Sequence, residues 1–262
     1  MRELTFGYSP CPNDTFAFHA LTHGLVEAPF RIRPELLDIE ELNRRAHTGE
    51  FDLTKLSVGA FASVGARYRM LRSGAALGFG VGPLVVARTA MTLGDAVRGR
   101  LAIPGPETTA YRLLRLAAPS LGEVVELRYD AILAAVRDGV VDAGLIIHES
   151  RFTYADHGLV QVIDLGAWWE GETGLPVPLA GICARADLDA AMVAEVESAI
   201  RTSVQYAFDH PEASRAYVRT HAQELSDEVC AAHIALYVNQ HSLDVDERGL
   251  AAIARLVGPA DR

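Results

Sequence analysis

The sequence predicts an α/β protein of two lobes, with the second lobe inserted into the first. Short apolar strands alternate with stretches of helical periodicity along the chain, which is typical of folds with parallel strands. Two apolar segments, Gly82–Arg88 and Leu179–Arg185, share their composition and an Ala-Arg ending, as two strands that cross between lobes would. Residues 1–89 with 179–262 are therefore expected to form the first lobe, and residues 90–178 the second.

The elements of the first lobe follow from apolar runs and from helix-end signals. The predicted strands are Leu4–Tyr8, Phe30–Asp38, Leu53–Ser57 and Leu179–Arg185. The predicted helices are Thr15–His23 and Ile39–Thr48, each ended by a glycine, then Val58–Ala66, Leu188–Phe208 after Asp187 as cap, Asp227–Asn239 after Ser226, and Asp246–Leu256. The glycine-rich Gly74–Pro83 lacks the Lys-Ser/Thr of a phosphate loop and is predicted to be a flexible bend.

The second lobe shows the same alternation. Its predicted strands are Leu101–Pro104, Val124–Tyr129, the apolar run from Ala143 to His148, and Leu159–Leu165. Its predicted helices are Ala110–Ala117 and Asp130–Asp138. The run that ends at His148 is apolar and β-branched, which indicates a strand buried on both faces, as in a parallel sheet.

Composition limits the function. The chain has 262 residues, a net charge of -10 and no basic stripe, so nucleic acid and anionic membranes are poor partners. No apolar run reaches membrane-spanning length and the N-terminus lacks a signal-peptide pattern, so a cytoplasmic location is expected. Three widely spaced cysteines, Cys11, Cys183 and Cys230, agree with reduced thiols. The sequence does not indicate an oligomeric state.

His148 is the leading candidate for a catalytic residue. It follows a predicted buried strand, and the carboxyl ends of strands border the ligand crevice in open α/β sheets. The pKa of an imidazole lies near neutrality, which suits proton abstraction. The alternative is that His148 only hydrogen-bonds a backbone group.

Three segments share the pattern of a strand, a polar turn and a helix start: Ser9–Thr15, Lys55–Ser57 and Gly105–Thr109. Helix starts present unpaired N–H groups that favour anions, and hydroxyls at Ser57, Thr108 and Thr109 add directional hydrogen bonds. Each segment alone is explained by helix capping. Together with His148, they predict a site for a small carboxylate-bearing or polyhydroxylated molecule.

Several other residues have two open interpretations. Lys55 adds charge to the site or is solvated, and Asn43 supplies an amide contact or sits on a helix surface. His19 and His23 have a spacing that metals use, but a structural role is favoured because no third ligand is evident. The Trp168-Trp169 pair lines an aromatic ligand or seals the interface between the two lobes. No metal site is predicted.

Long segments of the chain resemble the 1,4-dihydroxy-6-naphthoate synthases of the futalosine route of menaquinone biosynthesis. The resemblance is carried by SPCPNDTF (Ser9–Phe16), TKLS (Thr54–Ser57), PGPETTAY (Pro104–Tyr111), GLIIHESRFTY (Gly144–Tyr154), LGAWWE (Leu165–Glu170) and AQELSDEV (Ala222–Val229). These motifs occur in matching order over nearly the whole chain. The resemblance implies a fold similar to type II periplasmic binding proteins, with two α/β lobes joined by two crossing strands.

The resemblance also implies a reaction. It is the cleavage of cyclic de-hypoxanthine futalosine, without metal or organic cofactor, to 1,4-dihydroxy-6-naphthoate and a three-carbon sugar fragment, dihydroxyacetone. By resemblance His148 is the catalytic base, and the substrate, a small anion, contacts Lys55, Leu56 and Ser57 with Thr108 and Thr109. Asn13 and Asn43 are expected to make further contacts with the substrate.

Two rival functions remain at this stage. The same fold suits a non-enzymatic solute-binding protein, since a fold does not fix a function. Chorismate dehydratase, of the same pathway, resembles the same fold, but the SPCPNDTF and GLIIHES segments point away from it.

Overall fold

The computed structural model describes residues 1–222 and 226–258; residues 223–225 of the motif at Ala222–Val229, and residues 259–262, lie outside the described residues. The chain divides into two compact units, Met1–Gly78 with Pro178–Arg262, and Phe79–Val177. The first unit therefore ends earlier than residue 89. The cause is the strand Leu84–Ala87, which is hydrogen-bonded into the sheet of the second unit.

The described residues form strands and helices in alternation. The strands are β1 (Arg2–Tyr8), β2 (Phe30–Leu36), β3 (Leu53–Ser57), β4 (Tyr68–Met70), β5 (Ala76–Gly78), β6 (Leu84–Ala87), β7 (Leu101–Ile103), β8 (Val124–Glu126), β9 (Ala143–Ile146), β10 (Val160–Asp164) and β11 (Val177–Arg185). The helices are α1 (Pro12–Thr22), α2 (Ile39–Ala46), α3 (Val58–Val64), α4 (Leu93–Arg98), α5 (Thr109–Ala117), α6 (Ile132–Arg137), α7 (Ser150–Thr153), α8 (Leu165–Thr173), α9 (Ala190–Asp209), α10 (Arg215–His221), α11 (Asp227–Tyr237), α12 (Gln240–Leu243) and α13 (Glu247–Val257). None of the helices in the described part of the chain has the length and apolar character needed to cross a membrane.

The first unit is built on a mixed sheet with the strand order β2-β1-β3-β11-β4, and β5 pairs with β11. Strand β1 is parallel to β2 and β3, whereas β11 is antiparallel to β3 and β4. The predicted strand Leu53–Ser57 is confirmed. The prediction of a flexible bend over Gly74–Pro83 is wrong, because this segment contains β5.

Strand β1 shows how the sheet divides its two faces. The alternate residues Leu4, Phe6 and Tyr8 point to one face, where they form part of the main apolar core with residues of α1 and α9. Gly7 points to the other face, where a Cβ atom would lie 2.7 Å from Leu42. A side chain at this position would therefore collide with the side chains of Leu42 and Phe51, which explains the glycine within an otherwise apolar strand.

Helix α10, which the sequence did not predict, packs on α1 through an aromatic cluster. The Tyr217 ring lies 4.7 Å from His23 and 5.8 Å from His19, and the two imidazoles are 4.4 Å apart. The Tyr217 hydroxyl is 2.6 Å from that of Tyr8. The i,i+4 histidine pair is therefore used in packing, in agreement with its favoured structural interpretation.

We expect His19 to make the first unit less stable in mild acid. Burial, with a smaller contribution from His23, lowers the pKa of His19 below its ordinary value. The unfolded chain then takes up the proton first, at about pH 6.5. The stabilisation is present above that pH and is lost as the pH falls through the lowered pKa. Urea unfolding at pH 7.5 and 5.5 should show a smaller pH difference for His19→Gln than for the wild type; an equal difference would contradict this account.

The second unit has its own mixed sheet, with the strand order β10-β6-β9-β7-β8. Strand β7 is parallel to β8 and β9, and β6 is antiparallel to β9 and β10. Its core consists of buried aliphatic side chains from the sheet, from α6 and from the adjoining loops: Leu84, Val86, Ala102, Ile132, Leu133, Val136, Val141, Ile146 and Leu159.

The structure differs from the sequence prediction at three segments. Strand β9 ends at Ile146, so His148 lies in a turn and not in the strand. Helix α9 is capped by Asp189, whose side chain accepts a hydrogen bond from the Met192 N–H, and not by Asp187. The tryptophan pair lies in α8, an unpredicted helix, where the buried Trp169 donates to the Pro176 carbonyl at 3.0 Å.

Candidate active site

The predicted site residues of the first unit lie at the carboxyl ends of two neighbouring strands. Strands β1 and β3 are parallel neighbours, with Phe6 opposite Leu53 and Gly7 opposite Thr54. Their carboxyl ends therefore lie side by side, and this end of an open α/β sheet is where ligands bind. The short turn Ser9–Cys11 and the start of α1, which includes Asp14, follow β1, and Lys55–Ser57 closes β3.

Asn43 holds Ser57 through a pair of hydrogen bonds. The Asn43 Nδ2 donates to Ser57 Oγ, and the Ser57 N–H donates to Asn43 Oδ1, both at 3.0 Å. Asn43 is fully buried in α2, so the surface alternative considered for it is wrong. Because Ser57 Oγ accepts from the amide, its O–H is left to donate to a ligand oxygen.

Asn13 and Lys55 are both directed to Asp14. The Asn13 Nδ2 donates to Asp14 Oδ1 at 2.8 Å, and the Lys55 ammonium pairs with the same carboxylate. Both Lys55 and Asp14 are buried, so Lys55 is not the solvated lysine of the alternative interpretation. Leu56 differs from its neighbours, because its side chain packs in a core cluster with Ala46, Val64, Tyr68 and Cys183.

The predicted site residues of the second unit also follow the carboxyl ends of two neighbouring strands in its own sheet. Strands β7 and β9 are parallel neighbours, with Leu101 opposite Ala143. Thr108 and Thr109 follow β7, and His148 follows β9. Thr108, Thr109 and His148 therefore also lie at the carboxyl ends of parallel strands, where ligands bind in open α/β sheets.

His148 has a backbone conformation that side chains seldom adopt. Its φ is 56°, and it is the only non-glycine residue with a positive φ in the described ranges 1–222 and 226–258. Such a conformation persists where the surrounding structure enforces it, and it is concentrated at functional sites. The structure around His148 therefore holds its backbone in this conformation.

Two neighbours hold this turn. Arg151 donates to the Gly82 carbonyl at 3.0 Å and to Asp164 Oδ2 at 2.6 Å, which anchors α7 directly after the turn. The Tyr129 ring meets the imidazole of His148 edge to face, with ring centres 4.9 Å apart. The ring contact restricts the orientation of the imidazole, and the hydrogen bonds of Arg151 fix the helix that follows the turn.

Thr108 is a helix cap. Its Oγ1 accepts from the Tyr111 N–H at 3.2 Å and donates to the Gly105 carbonyl at 2.8 Å. Thr109 is the first residue of α5 and is buried. The hydroxyl hydrogen of Thr108 is thus directed at its own loop.

Three residues of this arrangement were not predicted as site residues. Tyr129 was assigned to the end of a strand, Asp14 to a turn, and Arg151 to no role. An acidic residue after two prolines at a helix start, as at Asp14, is a usable sequence signal. The contact of Tyr129 with His148 joins distant parts of the sequence and had no such signal.

The overall fold is that of the periplasmic binding proteins. The ligand-binding component of an ABC-type import system from Staphylococcus aureus is 13% identical, with a TM-score of 0.72 over 98% of this chain and 91% of that chain. The alkanesulfonate-binding protein SsuA from Xanthomonas axonopodis is 18% identical, with a TM-score of 0.67 over 90% of this chain and 84% of that one. At such identities the likeness shows the fold alone.

The chain belongs to the menaquinone biosynthesis family, whose model matches residues 4–262. A Thermus thermophilus relative named 1,4-dihydroxy-6-naphthoate synthase is 57% identical over all of this chain and 95% of its own length. A Streptomyces coelicolor relative of the same name is 46% identical over 97% of this chain and 91% of its own length. The crystal structure of a protein from Archaeoglobus fulgidus, 38% identical, has a TM-score of 0.92 over 97% of this chain and 95% of that one. The protein is accordingly an enzyme of the lyase type in menaquinone biosynthesis.

Proposed function

We propose that the protein cleaves cyclic de-hypoxanthine futalosine into 1,4-dihydroxy-6-naphthoate and dihydroxyacetone in the cytoplasm, with His148 as the general base. The observation that carries this proposal is the position of His148. It lies in an enforced left-handed turn at the carboxyl edge of its sheet, and Tyr129 and Arg151 restrain it. The names of the relatives support the product.

The reaction needs a base and no electron carrier. The imidazole of His148 takes the proton of a substrate hydroxyl. The electron pair of that oxygen forms a carbonyl group as the neighbouring carbon–carbon bond breaks. The electron pair of the broken carbon–carbon bond stays on the ring fragment, which becomes aromatic. The imidazolium then returns its proton to this fragment. Atoms and electrons balance within the substrate, so the step is redox-neutral.

Each unit has its own candidate contacts for a ligand in this proposal. The Ser57 O–H is a donor for substrate oxygens, since Asn43 occupies its acceptor side. The start of α5 at Thr109 favours negative charge through its N–H groups and helix dipole, by about 0.3–1 kcal/mol when exposed. Positioning by such contacts supplies acceleration beyond that of the base itself.

The direct test is to mix the purified protein with cyclic de-hypoxanthine futalosine and to follow both products by chromatography and mass spectrometry. The proposal predicts equal amounts of the naphthoate and dihydroxyacetone. Tight binding without conversion would indicate a solute-binding protein. Conversion of chorismate in a parallel reaction, with the futalosine derivative unchanged, would favour the dehydratase.

We expect Asn43→Asp to raise KM by about 10-fold or more, an effect of ~1.4 kcal/mol. The aspartate has no N–H to donate, so the Ser57 O–H must turn toward it and is lost to the substrate. Asn239→Asp is a matched control, because it adds the same charge in the same unit at the cap of α12. Steady-state kinetics should show a normal KM for the control; a normal KM for Asn43→Asp would contradict the assigned role of Ser57.

A further inference from the structure

The Asp14 carboxylate is the centre of a buried polar network in the first unit. Its Oδ2 accepts from the Ser9 N–H at 3.2 Å and from the Ser9 hydroxyl at 2.7 Å. Its Oδ1 accepts from Asn13 Nδ2 at 2.8 Å and from the Lys55 ammonium. An ionised carboxylate offers about four acceptor positions, so these four donors saturate it.

This saturation restricts what Asp14 can do. It has no lone pair left to accept a substrate hydroxyl, so it is neither a base nor a direct ligand. Lys55 is different, because an ammonium has three N–H donors and only one is directed at Asp14. Two donors remain for a ligand, while the charge of the ammonium is already balanced. The Lys55 and Asp14 side chains are 4% and 2% exposed, so water screens little of this mutual interaction.

We propose that Asp14 is a positioning residue that fixes the Lys55 ammonium and cancels its charge, so that Lys55 binds hydroxyl or carbonyl oxygens of the substrate and not its carboxylate. A carboxylate that approaches Lys55 is also repelled by Asp14, which offsets much of the attraction. A neutral oxygen needs only a donor, which Lys55 supplies. The identity of the substrate rests on the function proposed above, whereas the neutral charge of the Lys55–Asp14 pair follows from the structure alone.

The rival explanation is a purely structural ion pair. Buried pairs of this kind often add little net stability, and breaking one leaves a costly unpaired charge. A loss of stability, or a fall in kcat, in a variant therefore fails to separate the two explanations. A gain of anion binding does separate them, because it requires that Lys55 can reach a ligand.

The test is calorimetric titration of sulfate into the wild type, Asp14→Asn and the double variant Asp14→Asn/Lys55→Gln, at constant ionic strength. Asp14→Asn has nearly the same shape as the native side chain and unmasks the charge of Lys55. We expect it to bind sulfate with a Kd at least ~10-fold lower than the wild type, and the double variant to lose this gain. Equal sulfate affinity in the wild type and Asp14→Asn would overturn the proposal.

Asp52→Asn is the matched control. Asp52 accepts from the N–H and the hydroxyl of Thr5 and pairs with Arg185, much as Asp14 does with Ser9 and Lys55. Arg185 also pairs with Asp187, so this variant unmasks no charge and should gain no sulfate affinity.

A second variant covers the case in which Asp14→Asn does not fold. Lys55→Gln should raise KM for the substrate by about 10-fold, with kcat changed by less than about 3-fold, because binding and not proton transfer is affected. An unchanged KM would overturn the proposal. Sulfate binding needs no turnover, so a failure of the proposed reaction in the wild type is recognised separately.

Discussion

Replacing His148 with asparagine is expected to lower kcat by about 10²–10⁴-fold while the substrate still binds. Asparagine is the suitable replacement, because it is among the few residues that tolerate a positive φ, and the native φ here is 56°. The turn should therefore keep its shape while it loses the proton acceptor. Single-turnover cleavage and calorimetric binding measure the two effects separately.

His210→Asn serves as the control for this prediction. His210 is exposed and follows α9 in the other unit, so its replacement should leave kcat unchanged. Near-normal single-turnover cleavage by His148→Asn would remove His148 from the mechanism.

The second large effect is expected on stability, at Gly166 in α8. A Cβ atom at this position would lie 1.9 Å from the Val81 carbonyl oxygen, which is backbone and cannot turn aside. Gly82 shows the same close approach from the other side, since its own Cβ would lie 2.8 Å from the Gly166 Cα. Gly166→Ala must separate these two segments, and we expect a loss of about 3 kcal/mol of unfolding free energy.

Gly171→Ala tests this explanation within the same helix. A Cβ atom at Gly171 meets nothing within 4 Å, so the alanine should stabilise α8 by about 0.5–1 kcal/mol through its better helix propensity. Urea denaturation of the three proteins should give shifts of opposite sign for the two variants. A shift of the same sign and size for both would show that packing at Gly166 is not the cause.

Much of the fold was predictable because its strands are apolar and its turns are marked. Strand β3 carries its full range in the sequence pattern, and β1 differs from its prediction only at the N-terminal end. The missed elements lack such patterns. Helix α8 contains two tryptophans and two glycines, so its sequence lacks a clear helical pattern. Strand β5 lies in a glycine-rich run, which is typical of a loop. Gly82 and Gly166 are glycines because two backbones touch, which is a tertiary cause.

The candidate site was predictable in its residue types but not in its hydrogen bonds. The sequence placed His148 and Ser57 at the ends of strands, and parallel pairing brings the carboxyl ends of neighbouring strands together. It did not indicate that Asn43 would hold Ser57, or that Asn13 and Lys55 would share Asp14. These contacts join elements that are far apart in the chain, so no local pattern specifies them.

The central claim is that the imidazole of His148 removes a substrate proton, and chemical rescue of His148→Gly tests it most directly. Glycine adopts the positive φ without cost and leaves space where the imidazole was. We predict that this variant binds the substrate, cleaves it very slowly, and gains rate in proportion to the concentration of neutral imidazole added to the solution. Cleavage near the wild-type rate without imidazole, or a bound substrate that stays intact at every imidazole concentration, would contradict the claim.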